Sequence, residues 1–405
     1  MTTMSDLSSP GNGGFHELRR RLRTNARNHR SLSIVVGMAI VTAVLPLIAS
    51  LPGMSDFLPQ AAWMDSFTNA GVFVLLAIGL NIVVGVAGLL DLGYAAFFAI
   101  GSYAYAYAAS PFGNQILGIN LGQALGGAEG VVFWPMLAIG AAVAALFGVM
   151  LGAPTLRLRG DYLAIVTLGF GEIVPIVFRE SATVTNGING IGGISRPWLP
   201  FYGGYSAIDP IPYYLTTVLV ITVVLILAYR LVESRIGRAW EAIREDELAA
   251  AANGINTVST KLLAFALGAS TAGIAGVINT AKLTVVSPDQ FGFVVSFTVL
   301  AMVVLGGMGN FWGVGVGAFI IYMINNVLLK SLNQGFQSLH VPILQNIDFL
   351  QLQFLLYGLA LVVMMLLRPE GLFPNNRRMR ELHAEVTEPG EDELTLPEVT
   401  EEGGR

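Results

Sequence analysis

The chain has 405 residues, of which 54% are apolar and only 12% charged, and its mean hydropathy is +0.65. An ordinary soluble domain is about 25% charged, so a water-soluble globular enzyme is excluded and an all-α polytopic membrane protein is indicated. The formal charge of −5 belongs to the tail, because residues 381–405 hold nine Asp or Glu and one Arg, leaving the rest of the chain weakly basic.

Residues 1–30 form a basic, polar tail with six arginines. No short apolar core with a small-residue cleavage site follows, so the tail reads as a cytosolic flank and not as a secretory signal. Ten apolar runs long enough to span a bilayer then follow, near 34–50, 69–90, 94–110, 131–153, 161–179, 210–229, 262–281, 293–308, 312–329 and 350–367. With the N-terminus inside and each run crossing once, 18 of the 22 Lys and Arg fall on the cytosolic side, as the positive-inside rule requires. Both termini are therefore expected in the cytosol. The expected layout is the tail 1–30, a membrane domain 31–372 and an acidic, disordered cytosolic tail 373–405.

The region Gly79 to Gly101 is rich in glycine and contains Asn81 and Asp91. Asp91 is expected near the cytosolic face as a helix N-cap. Further on, Gly140, Ala144, Gly148 and Gly152 share one helix face, as do Gly268, Ala272 and Gly276, and Gly309, Gly313 and Gly317. Small residues at this spacing let helices approach closely, though a pore lining would use the same residues. Glu172 sits well inside its apolar run, where an ionisable residue costs roughly 2.5–3.5 kcal/mol. It reads either as a polar contact or gating element on a pathway, or as a structural, hydrogen-bonded carboxyl.

The segment 230–261 is the most charged stretch between spans. A helix-forming block there follows Gly237 and stops at Asn253-Gly254. Trp240, Ile243 and Leu248 offer apolar contacts beside Arg238, Glu241, Arg244 and Glu245, a pattern suited either to docking a cytosolic subunit or to a solvated loop. The charge-free stretch Gln290 to Leu329 must hold two spans or a broken helix, with Gly306, Gly307 and Gly309 marking the break.

No Walker A pattern occurs, so ATP-driven transport would need its ATPase on another chain. The absence of cysteine, and four histidines that all lie outside the apolar runs, remove support for thiolate chemistry and for Cys or His metal sites. No catalytic residue, metal, cofactor or nucleic-acid partner is expected.

Several ordered stretches resemble the permease subunits of branched-chain amino acid ABC importers, of the LivM type. They are Gly79-Leu-Asn-Ile-Val-Val-Gly-Val-Ala-Gly-Leu-Leu-Asp-Leu-Gly-Tyr through Gly101, Leu156-Arg-Leu-Arg-Gly-Asp-Tyr through Ile173, Gly237-Arg-Ala-Trp-Glu-Ala-Ile-Arg-Glu-Asp-Glu247, Val286-Ser-Pro288, Val304-Leu-Gly-Gly-Met-Gly309 and Arg368-Pro-Glu-Gly-Leu372. The resemblance implies a subunit of the inner membrane that lies in lipid beside a homologous LivH-type permease. Two cytosolic ATPases and a periplasmic substrate-binding protein complete the assembly. It makes Gly237, Arg238, Trp240, Glu241, Ala242, Arg244 and Glu245 the expected ATPase-coupling element, with Glu172, Asn81 and Asp91 as candidate translocation-pathway residues.

The chain departs from the family pattern at Pro175, where a basic residue is common; proline there frees the Gly171 carbonyl and implies a kink near Glu172. The loop Ser331 to Asp348 is longer than usual. Import of urea, short amides or another amino acid is the neighbouring reading. A secondary transporter driven by an ion gradient through Glu172 is the reading from another class.

Overall fold

The computed structural model describes residues 60–118, 129–155, 161–199, 203–206, 209–329, 352–368 and 371–373. The basic tail 1–30, the run 34–50, Arg157 and Arg159, the loop 331–348 and the acidic tail beyond 373 lie outside the described residues.

The first described helix, α1 (Gln60–Leu80), runs without interruption into a π-helical turn at Asn81–Val86. It begins well before the predicted run because Asp65 and Asn69 in its first turns are matched across the fold. Lys282 contacts the Asp65 carboxylate at 2.7 Å and donates to Asn69 Oδ1 at 2.7 Å. Next come α2 (Tyr94–Ala109) and α3 (Pro111–Leu117), the latter capped by Ser110, whose Oγ accepts from Gly113 N at 3.1 Å. Then follow α4 (Phe133–Thr155), α5 (Asp161–Glu180) and the single turn α6 (Ala182–Thr185).

Short strands β1 (Ile191–Gly192), β2 (Trp198–Leu199) and β3 (Gly203–Gly204) lead to α7 (Ile211–Val232). Two short helices, α8 (Arg235–Glu245) and α9 (Glu247–Ala252), precede the long α10 (Thr257–Leu283) and β4 (Val285–Val286). The remaining helices are α11 (Phe293–Gly306), α12 (Phe311–Met323) and α13 (Leu352–Leu367). β1 pairs antiparallel with β4, and β2 with β3.

Among the described residues six helices are long and apolar enough to cross a membrane: Ala61–Val86, Gly130–Thr155, Tyr162–Glu180, Ile211–Val232, Thr257–Leu283 and Pro288–Gly306. Phe311–Val327 is a shorter apolar helix. The predicted run at 94–110 is α2, whose 16 residues are buried almost throughout.

α10 lies at the centre and packs against α4, α2 and α1. Lipid tails are as apolar as leucine, so these contacts are held by close packing and not by escape from water. The buried face of α4 is the predicted stripe Gly140, Ala144, Gly148 and Gly152. A Cβ on Gly273 would lie 2.5 Å from the Gly140 oxygen, and one on Gly101 would lie 2.4 Å from the Gly273 Cα. Backbone thus meets backbone across three helices, and the close-packing reading of this stripe holds.

The charge-free stretch Gln290–Leu329 folds as two helices. α11 and α12 pack on each other as a hairpin, with Gly313 against the Gly306 oxygen and Gly317 against the Gly306 Cα. The reversal uses Gly307 at φ 111° and Gly309 at φ 83°, conformations that side chains with a Cβ rarely adopt.

Candidate functional site

The charged segment after α7 does not form one helical block. Ser234 caps α8, its Oγ accepting from Ile236 N at 3.1 Å, so the helix starts at Arg235, ahead of Gly237. Asp246 ends α8 and starts α9, its Oδ1 accepting from Leu248 N at 2.8 Å and Ala249 N at 3.0 Å. An aspartate competes for backbone donors and favours a cap over a helix interior, and so the block divides at this residue. The stop at Asn253-Gly254 holds, with Asn253 as the C-terminal cap of α9 and Gly254 at φ 84°.

α8 has one face turned into the fold. Trp240 is fully buried and its indole N–H donates to the Thr260 oxygen at 2.7 Å; Ile243 and Gly237 are also buried. A Cβ on Gly237 would lie 2.0 Å from the Val232 oxygen, which is how α8 turns so closely off the end of α7. Lys261, almost wholly buried, reaches Glu247 at 2.6 Å and holds α9 to the second turn of α10. The other face carries exposed Arg238 and Glu245 and half-buried Glu241 and Ala242, and Leu248 beside it on α9 is 69% exposed. Arg238 donates to the Glu233 oxygen at 3.1 Å.

Arg244 reaches back toward the membrane domain and donates from Nη1 to the Gly85 oxygen at 2.7 Å. Gly85 lies in the π-helical turn that ends α1, where last-turn carbonyls need outside donors. The stem of Arg244 packs where a Cβ on Gly88 would lie, and Gly88 stands at φ 71°. In the same turn the fully buried Asn81 accepts from Gly309 N through Oδ1 at 2.8 Å. The break after α1 and the break between α11 and α12 are thereby joined. Asn310 extends the network: its Oδ1 caps α12 at Trp312 N (3.1 Å) and its Nδ2 donates to the Phe373 oxygen at 3.0 Å. Leu372 N donates to the Leu305 oxygen at 2.9 Å, so two of the quoted sequence stretches meet in space.

Asp91 is buried in the connection between α1 and α2, its Oδ1 accepting from Gly93 N at 2.9 Å. The N-cap position itself belongs to Gly93, and Ser296 of α11 supplies the acceptor for Ala95 N at 2.9 Å, so Asp91 shapes the turn ahead of the cap. Burial pushes its carboxyl up to about 7, against the pull of the Gly93 amide. Leu92 N donates to Thr167 Oγ1 at 3.1 Å, which seats this turn on α5.

Glu172 stands apart from these groups. It is exposed on the outer face of α5, and among the described residues no ion pair or hydrogen bond holds it. The structural reading, a carboxyl satisfied inside its own chain, gains no support among the described residues. α5 continues helically through Pro175. The structure therefore brings Arg244 and Asn81 to one helix break, puts Asp91 in the turn that follows, and leaves Glu172 on another surface. Sequence reading marked Gly309 as part of a helix break but did not single out Gly85, Ser296 or Lys261. A backbone carbonyl or amide has no sequence signature, whereas Asn310, directly before an apolar helix and after glycine, carries a cap signal.

The family described as branched-chain amino acid transport system / permease component matches residues 63–367. The chain is 36% identical over 365 residues to the high-affinity branched-chain amino acid transport system permease protein LivM of Escherichia coli K12, covering 85% of this chain and 77% of that one. It is 37% identical over 341 residues to the protein of the same name from Salmonella typhimurium LT2, covering 79% and 72%. It is also 24% identical over 269 residues to the permease protein LivH of E. coli K12, covering 64% and 82%. No solved structure matches the chain.

Proposed function

This chain belongs to the family of branched-chain amino acid transport permease components, and from that premise we propose that it is the LivM-type subunit of an ABC importer of the inner membrane. It passes leucine, isoleucine and valine by alternating access, and it is a transport subunit, not an enzyme. A LivH-type permease stands beside it, two ATPases dock from the cytosol, and a periplasmic binding protein delivers substrate. The membrane domain has about ten spans with both termini in the cytosol.

α8 is the coupling element. The observation that carries this is its two-sidedness: one face is anchored by Trp240 and Arg244 to α10 and to the break after α1, while Arg238, Glu241, Glu245 and nearby Leu248 face outward. A force applied to the outer face passes through Arg244 to the Gly85 carbonyl, and through Asn81 to the α11–α12 reversal. Asn81 and Asp91 act on the pathway by shaping its helix breaks.

The test is uptake of labelled leucine in membranes holding the co-encoded subunits. Substituting the Walker lysine of the ATPases should abolish uptake, and changing Arg238, Glu241 and Glu245 together to alanine should release the ATPases from the purified complex. Uptake that survives the Walker substitution and collapses with an uncoupler would identify a gradient-driven transporter instead.

A further inference from the structure

α5 is held to the bundle in two different ways along its length. In its first half backbone meets backbone. Leu92 N donates to Thr167 Oγ1 at 3.1 Å, a Cβ on Gly93 would lie 2.1 Å from the Thr167 oxygen, and one on Gly171 would lie 2.9 Å from the Gly93 Cα. Beyond Pro175 the contacts are made by the ends of side chains. The Phe178 ring lies 4.5 Å from that of Tyr103 on α2, edge to face, and Tyr103 lies 6.3 Å from Phe291. Arg179 pairs with Asp289, both of them solvent-exposed, and the Tyr107 hydroxyl donates to the Val184 oxygen just past the helix. Asp289 and Phe291 belong to the turn Pro288–Phe291, which follows the far end of α10. That places the turn roughly 40 Å from α8 at 1.5 Å per helical residue.

Pro175 stands at the boundary between the two halves. The helix continues through it, but Pro175 has no N–H for the Gly171 oxygen, so α5 resists bending least between these two residues. Contacts between side-chain ends part and reform without main-chain collision, whereas the Gly93–Thr167 contact does not. The seam that Phe178 closes also holds two buried polar atoms with no hydrogen-bond partner among the described residues, the Tyr103 hydroxyl and Gln290 Oε1. Burial without a partner is unfavourable, and opening the seam to solvent relieves it. The closed form is thereby brought near the open one in free energy, as an element with two arrangements requires.

We propose that the end of α5 beyond Pro175 is a hinged gate on the side of the membrane domain opposite α8, latched by the Arg179–Asp289 pair. The proposal rests on the reading of this chain as a transport subunit. It deepens that reading by naming the part that moves when the pathway opens on that side. The turn from Gly171 to Pro175 is the hinge, and the fixed half of α5 joins it to the turn at Leu92 and Gly93.

The chain has no cysteine, which permits a direct test in the full complex in native membranes. Arg179→Cys with Asp289→Cys is bridged by a methanethiosulfonate crosslinker with a two-carbon spacer, and uptake of labelled leucine is read before bridging, after it, and after cleavage with dithiothreitol. Bridging should lower uptake about tenfold, as for a lid whose opening limits turnover, and cleavage should restore it. Full uptake by the bridged chain would overturn the gate. Pro175→Ala returns the N–H for the Gly171 oxygen and should slow uptake about fivefold, the worth of one hydrogen bond, and undiminished uptake would overturn the hinge. A second readout needs no transported substrate: Tyr103→Cys is labelled with a charged, membrane-impermeant thiosulfonate. Adding Arg179→Gln should speed that labelling about threefold, the scale of an exposed ion pair, and an unchanged rate would overturn the latch. Uptake that does not depend on the ATPases would be a failure of the importer reading, and is distinguishable because the labelling result stands without it.

Discussion

Asn81 and Gly309 are 228 residues apart in the chain, yet the Gly309 amide donates to Asn81 Oδ1 at 2.8 Å. The bond joins the π-helical end of α1 to the reversal between α11 and α12, two places where the backbone leaves regular geometry. Irregular backbone inside a membrane protein persists only where other groups satisfy it, and here the Asn81 side chain in one break satisfies a backbone amide of the other.

Replacing Asn81 by alanine removes that acceptor inside a buried site. The expected cost is about 1–3 kcal/mol, visible as a lower midpoint of thermal unfolding for the complex purified in detergent. An unchanged midpoint would show that the two breaks are held by other contacts.

Arg244→Met retains the stem that packs by Gly88 and deletes the donor to the Gly85 carbonyl. ATPase co-purification should be preserved, because the outer face of α8 is untouched. Leucine uptake should fall about tenfold, the equivalent of 1.4 kcal/mol, from loss of a hydrogen bond to a charged group. Equal losses of uptake and of ATPase binding would instead place Arg244 in the docking surface itself.

Gly101→Ala should abolish accumulation of folded chain. Its new methyl would lie 2.4 Å from the Cα and the oxygen of Gly273, and backbone cannot yield as a side-chain tip can. Gly358→Ala on α13 is the matched control, since nothing lies within 4 Å of its Cβ position. Size-exclusion profiles of fluorescent fusions would separate the two, with the control retaining the wild-type peak.

Asp91 makes stability depend on pH. Its carboxyl rises from 3.8 to about 7 on burial, so the folded state holds the proton more tightly than the unfolded chain. The stabilisation is complete below the unfolded value, is lost as pH rises through about 7, and changes little above that. Asp91→Asn keeps an oxygen for Gly93 N and does not titrate. Its thermal midpoint should vary less between pH 5 and pH 8 (a window of roughly 3 units about the shifted value) than the wild-type midpoint does. A parallel decline in both would assign the pH dependence to other groups.

Much of this arrangement was legible in the sequence, for reasons that differ by element. The α4 stripe and the hairpin break at Gly306 to Gly309 were readable because helical spacing and glycine clusters express backbone constraints directly. The two-sided helix α8 was readable through its Trp and alternating charges. Its division at Asp246 was not anticipated, because a cap depends on which carbonyls and amides the chain presents locally. The early start of α1 was hidden by Asp65 and Asn69, which look like span-ending polar residues until Lys282, distant in sequence, is placed beside them. The side of α5 that Glu172 occupies required knowing which face the Leu92-Gly93 turn had taken.

The glycine-lined contact of α10 with α2 and α4 has a mechanical consequence. Carbonyls there lie so near neighbouring helix backbone that these helices have no room to shear or part without driving main-chain atoms into one another or opening voids that nothing fills. The three helices therefore form a stator, a body that tilts as a unit. In the transport cycle proposed above, other helices move against that body.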